Sequence, residues 1–435
     1  MSYNFLLASW GSSGNLNPML TAARQLRRNG HRVRVIADPL MHGEVEAASI
    51  EFLTWRRAPT GTDADPSDIS DMKDWVSKTV FNPAIAYAED IRDEIRRVPT
   101  DALLTLDVLF GAVLGAEAAS VPVAMLSPHV SIRPLPGLPP ATMGMARPKT
   151  DQDRAEIAAA NESFADFMNS FLPVLNLACA KLGVPRLSQV TDVFDRSDRF
   201  LLAISQAFDF EPDSVPGNLR YVGPLLDQPS WAKPWQAPWP AASGRPRVLV
   251  ACSTGAQGQQ DLVQRVLDAM GSVNADAVAT AGPNLDIASF RAPANVCLLH
   301  SAPHDAVMRE VSLVITQGGH GTVNRALING LPLLVLPIAR DQAANAARVE
   351  DKGAGLRLHP HAPEEEIASA VNRLLAEPHF RIAARRLGGA IEADIAGSAL
   401  VSELETMVAA RRGPGMAVRR AAAGANAVSA PLLHR

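Results

Sequence analysis

Residues Leu313 to Val349 read LVITQGGHGTVNRALINGLPLLVLPIARDQAANAARV, and this stretch decides the fold. Leu313 to Thr316 is a short apolar run of the kind that forms a buried parallel strand, Gln317 to Gly321 is a glycine-rich turn, and Thr322 to Asn329 is predicted to be a helix. Leu333 to Pro337 then gives a second short strand, with Asp341-Gln342 at its carboxyl end. Open parallel sheets bind ligands at those ends. Without Cβ atoms at Gly318, Gly319 and Gly321 the backbone can approach a ligand closely. The N–H groups opening the next helix then point at it, which suits an anion such as a diphosphate. A carboxylate beside an amide, one strand further on, suits a group rich in hydroxyls.

The order of these signals resembles the donor-binding motif of the family 1 glycosyltransferases with the GT-B fold, a group that decorates macrolides, glycopeptides, enediynes and plant phenolics. The family pattern runs His-Gly-Gly-x-Gly-Thr, a helix, Gly-x-Pro, a strand, Asp-Gln and an Asn-x-x-Arg helix. This chain has Gln317-Gly318-Gly319-His320-Gly321-Thr322, Gly330-Leu331-Pro332, Asp341-Gln342 and Asn345-Ala346-Ala347-Arg348. The resemblance implies an α/β protein of two Rossmann-like doubly wound domains facing each other across a cleft. It also implies an inverting transfer of a sugar from a UDP- or dTDP-sugar to a small hydrophobic acceptor, with the diphosphate bound without a metal ion.

Composition agrees with a two-domain enzyme. At 435 residues the chain exceeds the size at which single cores stop growing. A net charge of −4 gives no electrostatic footprint for nucleic acid. Cys179, Cys252 and Cys297 lie in apolar contexts and read as reduced thiols of a cytoplasmic protein. The first strand, Tyr3 to Ser9, starts without a basic region, and no run is long and apolar enough for a membrane span. A monomer or homodimer is expected.

Working outward, Tyr3 to Ser9, the helix Asn17 to Asn29 (Met19, Leu20, Ala23 and Leu26 on one face) and the strand His31 to Ala37 form a βαβ unit. Strands at Ala102 to Leu106 and Val121 to Leu126 flank a helix over 108–119. Two mobile loops are expected, Thr60 to Lys73 and Ile132 to Lys149, the second with prolines at 134, 136, 139, 140 and 148. These patterns divide the chain into an acceptor domain (1–224), a linker rich in Pro and Trp (225–247, with Trp231, Trp235 and Trp239) and a donor domain (248–395). A C-terminal helix (396–411) that the resemblance sends back to the first domain follows, then a tail (412–435) without an apolar face.

The loop Gly11 to Pro18 carries a second point of resemblance and a departure. Relatives place a His or Asp there, three residues before the proline, to remove the acceptor's proton; here the residue is Asn15, preceded by Gly14. An amide is no general base near neutral pH. Asp107 stands where relatives put the carboxylate that orients the histidine. Asp107 is therefore the candidate base, direct or through a water, with Asn15 positioning the acceptor. Alternatively the acceptor is an amine, a carboxylate or an acidic phenol that needs little deprotonation, or Asp107 merely caps the helix at Val108. His129, after the strand ending at Leu126, is a possible substitute base or a structural histidine.

On the donor side Gln317 replaces the phosphate-binding His of relatives. Leaving-group stabilisation then rests on Thr322, the N–H groups of 319–322 and the helix dipole, with His320 either helping or facing solvent. Thr254, with Ser253, matches a hydroxyl near the diphosphate, and Ser301 a base-contacting position. Arg325 replaces a Glu that relatives use on ribose, which leaves thymidine nucleotides open. His304 is a helix-opening residue or a ligand contact. No cluster has metal-ligand spacing. Asn15 and Gln317 raise the alternative of a catalytically weak or inactive relative that binds nucleotide or acceptor and assists a partner enzyme; a sugar-nucleotide epimerase of the same fold is a third reading.

Overall fold

The computed structural model describes residues 1–11, 13–60, 69–226, 235–239, 244–251, 259–282 and 285–412. Two parallel sheets make up the molecule, each wrapped by helices. The first contains β1 (Asn4–Ala8), β2 (Arg32–Ala37), β3 (Glu51–Thr54), β4 (Ala102–Leu106), β5 (Val123–Ser127), β6 (Arg199–Leu202) and β7 (Leu219–Tyr221), in the order β3-β2-β1-β4-β5-β6-β7. The second contains β8 (Arg247–Ala251), β9 (Asp276–Thr280), β10 (Val296–Leu299), β11 (Leu313–Thr316), β12 (Leu333–Val335) and β13 (Gly355–Arg357), in the order β10-β9-β8-β11-β12-β13.

The sequence dictates this layering. β4, β5, β9 and β11 are buried along their whole length, as strands covered on both faces must be. Register places Ala8 beside Thr105 and Thr316 beside Ala251. Strand order reverses between β1 and β4 and again between β8 and β11, so each sheet has a switch point where the carboxyl ends open a crevice. Asp107 lies at the first of these, and Gln317 to Gly319 at the second.

Several expectations change. The first helix runs Ser13–Arg28 with Pro18 inside it, so Gly14 and Asn15 belong to its first turn and not to a loop. The apolar face that placed the start at Asn17 begins at Met19, and the residues Ser13, Gly14 and Asn15 that open the helix carry no apolar signal. The helix after β4 begins at Phe110 with Leu109 as its cap and no side-chain cap bond, so Asp107 does not cap it. Residues 132–149 form no helix or strand but are packed: Leu135, Leu138 and Ala141 are buried, and Arg357 Nη1 donates to Gly144 O. Ile69–Val76 is a helix, and 61–68 fall outside the described residues. Trp235 and Trp239 donate their indole N–H groups to Glu310 at 2.9 and 2.6 Å, which docks that stretch on the second sheet's domain; Trp231 is outside the described residues. Cys179 and Cys297 are free thiols, and Cys252 is outside the described residues.

The helix Pro378–Ala396 packs on the helix His320–Ile328, close enough that Gly388 has no room for a Cβ against Leu327 O. After it, Leu400–Arg412 lies on the first domain, where Glu403 pairs with Arg199 at 2.7 Å and Glu405 with His31 at 3.1 Å. The tail beyond Arg412 is outside the described residues. No helix among the described residues is long and apolar enough to cross a membrane.

Candidate active site

The glycine turn is built by the residues behind it. Gly318 adopts φ 99°, and an added Cβ would meet Val335 Cγ1 at 2.7 Å, so both conformation and space demand glycine there. Gly319 caps the helix His320–Ile328 with no side-chain cap bond, which leaves its first N–H groups for a ligand or solvent. Asn345 fixes the turn from below: its Nδ2 donates to Gly318 O at 2.9 Å and to Asp341 Oδ2 at 2.8 Å. The motif Asn-x-x-Arg is thus partly a brace for the turn.

His320 does not face solvent. It is buried beside Phe208 of the first domain, with Nε2 3.1 Å from Asn324 Nδ2 and Nδ1 3.5 Å from Asn345 Oδ1. Burial pushes its pKa down against the nearby Asp341 charge, so the ring is neutral at pH 7. Gln317 is buried as well, and Thr322 and Asp341 are half-buried at the crevice. Gln342 has turned inward: its Oε1 accepts from the N–H groups of Ile338 and Ala339 at 2.8 and 3.0 Å. That closes the loop in which Arg340 takes φ 59°, a left-handed conformation that costs free energy for a non-glycine residue and recurs at functional sites. Ser301 is exposed, and Thr254 with Ser253 is outside the described residues. His304 opens the helix His304–Met308 with Nε2 3.1 Å from Thr280 Oγ1.

The first domain supplies a different arrangement. Asp107 is fully buried, and neither of its carboxylate oxygens has a hydrogen-bond partner among the described residues. His129 stands beside it, with Nε2 3.5 Å from Asp107 Oδ1, an ion-pair distance. The other ring nitrogen, Nδ1, donates to Val130 O at 2.9 Å. Burial opposes a charge on this ring, yet Asp107 and, across the crevice, Asp341 outweigh it and push the His129 pKa up to about 9. With both nitrogens committed as donors, His129 presents no lone pair to an acceptor. Asn15 is half-buried on the first helical turn, and Gly14 is exposed.

One contact that the motif pattern contained, but residue types could not place, joins the two domains. Arg348 reaches out of the helix Gln342–Asp351, its Nε and Nη2 at 2.8 and 2.7 Å from Asp209 Oδ1. Tyr221 donates to Asp209 Oδ2 at 3.0 Å, and the guanidinium lies 4.3 Å from the Phe210 ring centroid. Both charged side chains are 2 % exposed.

The two parallel sheets, each with its switch point, match the GT-B fold of solved glycosyltransferases. Residues 264–407 match the family described as Erythromycin biosynthesis protein CIII-like, C-terminal domain, and the chain is homologous to the natural-product glycosyltransferases. It is 28 % identical over 415 residues to 4'-demethylrebeccamycin synthase of Lentzea aerocolonigenes, covering 89 % of this chain and 95 % of that one. In structure it resembles the glycotransferase of kitacinnamycin, with a TM-score of 0.75, 20 % identity and 93 % of this chain against 99 % of that one. The glycosyltransferase VinC, solved in complex with dTDP, superposes with a TM-score of 0.64 at 18 % identity, over 94 % of this chain and 100 % of that one.

Proposed function

We propose that this glycosyltransferase is an inverting enzyme that moves a sugar from a UDP- or dTDP-sugar, held by the second domain, to a small hydrophobic acceptor held by the first. The observation that carries this reading is the braced glycine turn at the β8/β11 switch point. It is fixed by Asn345, opens onto the N-terminus of the helix His320–Ile328 and lies beside Asp341. The diphosphate sits on that helix's first N–H groups and on Thr322 without a metal ion, and Asp341 takes sugar hydroxyls while Gln342 shapes the loop. Gln317 contributes neutral donors only. Ser301 borders the nucleotide.

In the reaction the acceptor's heteroatom attacks the anomeric carbon from the face opposite the diphosphate. One carbon–heteroatom bond forms as the bond to the diphosphate oxygen breaks, and the electron pair leaves with the nucleoside diphosphate. The acceptor's proton passes to the Asp107–His129 pair, whose Oδ1 and Nε2 stand 3.5 Å apart. Asn15 and Gly14 line the acceptor side. One observation favours a second reading of this step: His129 is already protonated at neutral pH, so the pair starts with its proton in place and is a weak base. An acceptor that is itself acidic, such as a phenol, or already nucleophilic, such as an amine, asks little of it.

Incubation of the protein with a panel of UDP- and dTDP-sugars, followed by mass spectrometry for nucleoside diphosphate released by slow hydrolysis, tests the donor assignment. Release from at least one member, unchanged by EDTA, is expected. No release from any, together with no binding of UDP or dTDP, would leave a non-catalytic relative as the better reading.

A further inference from the structure

The stretch that follows His129 is held by the first domain for half its length. Arg133 donates to Asn218 Oδ1 and Asp195 Oδ1 at 2.8 and 2.6 Å, Pro136 O accepts from the Asp213 N–H at 2.9 Å, and Leu138 O accepts from Asn161 Nδ2 at 2.8 Å. Beyond Ala141 the chain crosses to the second domain. From Thr142 to Lys149 the one buried residue is Gly144, and what it is buried against is Ala343. Gly144 adopts φ 61°, and a Cβ there would stand 2.6 Å from Ala343 Cβ and 3.0 Å from Ala343 O. Arg357, the last residue of β13, donates from Nη1 to Gly144 O. Conformation and contact both require glycine here.

Ala343 lies in the first turn of the helix Gln342–Asp351, and the N-cap of that helix is Asp341. The helix meets the first domain again at Arg348, on Asp209, and at Asp351, whose Oδ1 is 3.6 Å from Arg147 Nε. These contacts differ in reach. Arg348 is about two helical turns from Asp341, and the Arg147 side chain is 54 % exposed, so its ion pair adds little. Gly144 instead touches the residue two positions after Asp341. Asn345 braces Asp341 from within the same helix; the contact with Gly144 sets that helix against the acceptor side. Close-packed carbon atoms stand about 3.5 to 4.0 Å apart, so a methyl group at 144 could enter only if the loop and the helix separated by roughly 1 Å.

We infer that Gly144 is a positioning residue for the donor sugar: through this glycine the acceptor domain sets where the Asp341 carboxylate stands. This rests on the reading of Asp341 as the group that takes sugar hydroxyls. It adds that the sugar is read in part from the acceptor side, by a residue on the stretch that begins at His129.

Calorimetric titration of the full chain with UDP, dTDP, UDP-glucose and dTDP-glucose tests it, read as the ratio of sugar-nucleotide affinity to nucleoside diphosphate affinity. Asp341→Asn should lower that ratio by about tenfold, the loss of one charge-assisted hydrogen bond. Gly144→Ala should lower it in the same direction. So should Arg357→Met, which removes the anchor of the Gly144 carbonyl and leaves the glycine in place. Added to Asp341→Asn, Gly144→Ala should shift the ratio by less than about twofold, because the carboxylate it positions is already gone. A ratio unchanged in both Gly144→Ala and Arg357→Met overturns the inference, even where both affinities fall together, since the glycine would then serve the fold alone. A full further loss on top of Asp341→Asn also overturns it, because Gly144 would act on the sugar by another route. If wild type binds none of the four nucleotides, or Asp341→Asn leaves the ratio unchanged, the donor reading of Asp341 falls and takes this inference with it.

Discussion

The carboxyl end of β11 and the carboxyl end of β4 occupy equivalent places in two sheets of the same strand order, yet they are furnished in opposite ways. Around β11 polar groups brace one another: Asn345 holds Gly318 O and Asp341, and Gln342 closes 338–339. At β4 the buried Asp107 carboxylate has no hydrogen bond among the described residues, and His129 stands at ion-pair distance. A buried carboxylate in that state costs free energy that a hydrogen-bonded one does not. Structure alone gives no reason to keep it. The donor turn uses its side chains to fix backbone geometry in advance, while the acceptor side leaves a charge underserved until something arrives. Under-satisfied titratable groups of this kind cluster at reacting centres.

The largest effect that would break the contrast is at Asp107. Replacing it by Asn keeps the shape and removes the charge, and turnover should fall by roughly 10²- to 10⁴-fold, the range for a lost general base. Nucleoside diphosphate affinity should stay at the wild-type value, since the braced turn is untouched. Kinetics with a saturating donor, beside calorimetric titration of UDP and dTDP, read the two quantities separately. Turnover near wild type would show that the acceptor brings its own nucleophilicity and that the β4 end is merely tolerated.

The two ends also differed in how far the sequence exposed them. The glycine turn was legible because it rests on backbone: glycines at 318, 319 and 321, and Asp341-Gln342 after a strand, are local patterns. What the local pattern missed was direction. Gln342, read as a ligand contact, faces its own loop, and His320 faces Asn324, Asn345 and the first domain. The acceptor side was legible only in part. Asp107 follows a strand, but its pairing with His129 joins two different loops, and no spacing rule connects residues brought together by a sheet. The first helix starts at Ser13, earlier than the expected Asn17, because it opens on Ser13, Gly14 and Asn15, which show no apolar periodicity. Arg348 was visible as a motif letter, and its partner Asp209 lies 139 residues away.

That pair tests whether the two ends act independently. Asp209→Asn leaves the buried Arg348 guanidinium without a counter-charge, a loss of roughly 3 to 5 kcal/mol for a broken buried pair. Arg348→Met should cost less, because Asp209 keeps the hydrogen bonds from Tyr221 Oη and from the Phe210 N–H, at 3.0 and 2.8 Å. Urea denaturation midpoints for both variants measure the order. If Arg348→Met proved the worse of the two, the cation's packing on Phe210 would be the stabilising element, and the carboxylate incidental. A weakened diphosphate affinity in either variant would show that the first domain tunes the turn through the helix Gln342–Asp351, so that the two ends are one device.

The smallest expected effect lies in the pH dependence of stability. His129 has its pKa raised from the ordinary 6.5 to about 9 in the folded protein, against the cost of burial, chiefly by Asp107 and also by Asp341, while the neighbouring His320 stays neutral and adds no charge. A group whose folded pKa is raised binds its proton more tightly when folded. Its contribution is therefore complete below pH 6.5 and is lost as pH rises through about 9. Melting temperatures between pH 6 and pH 10 (about four steps suffice to resolve a single titration) should decline over that window in wild type. In His129→Gln the decline should flatten, because the titrating group is gone. It should flatten equally in Asp107→Asn, because the charge that raises the pKa is gone. A decline that persists in Asp107→Asn but not in His129→Gln would assign the shift to Asp341 across the crevice. The acceptor-side histidine would then be held by the donor domain, and the contrast between a braced end and an underserved one would become a contact between them.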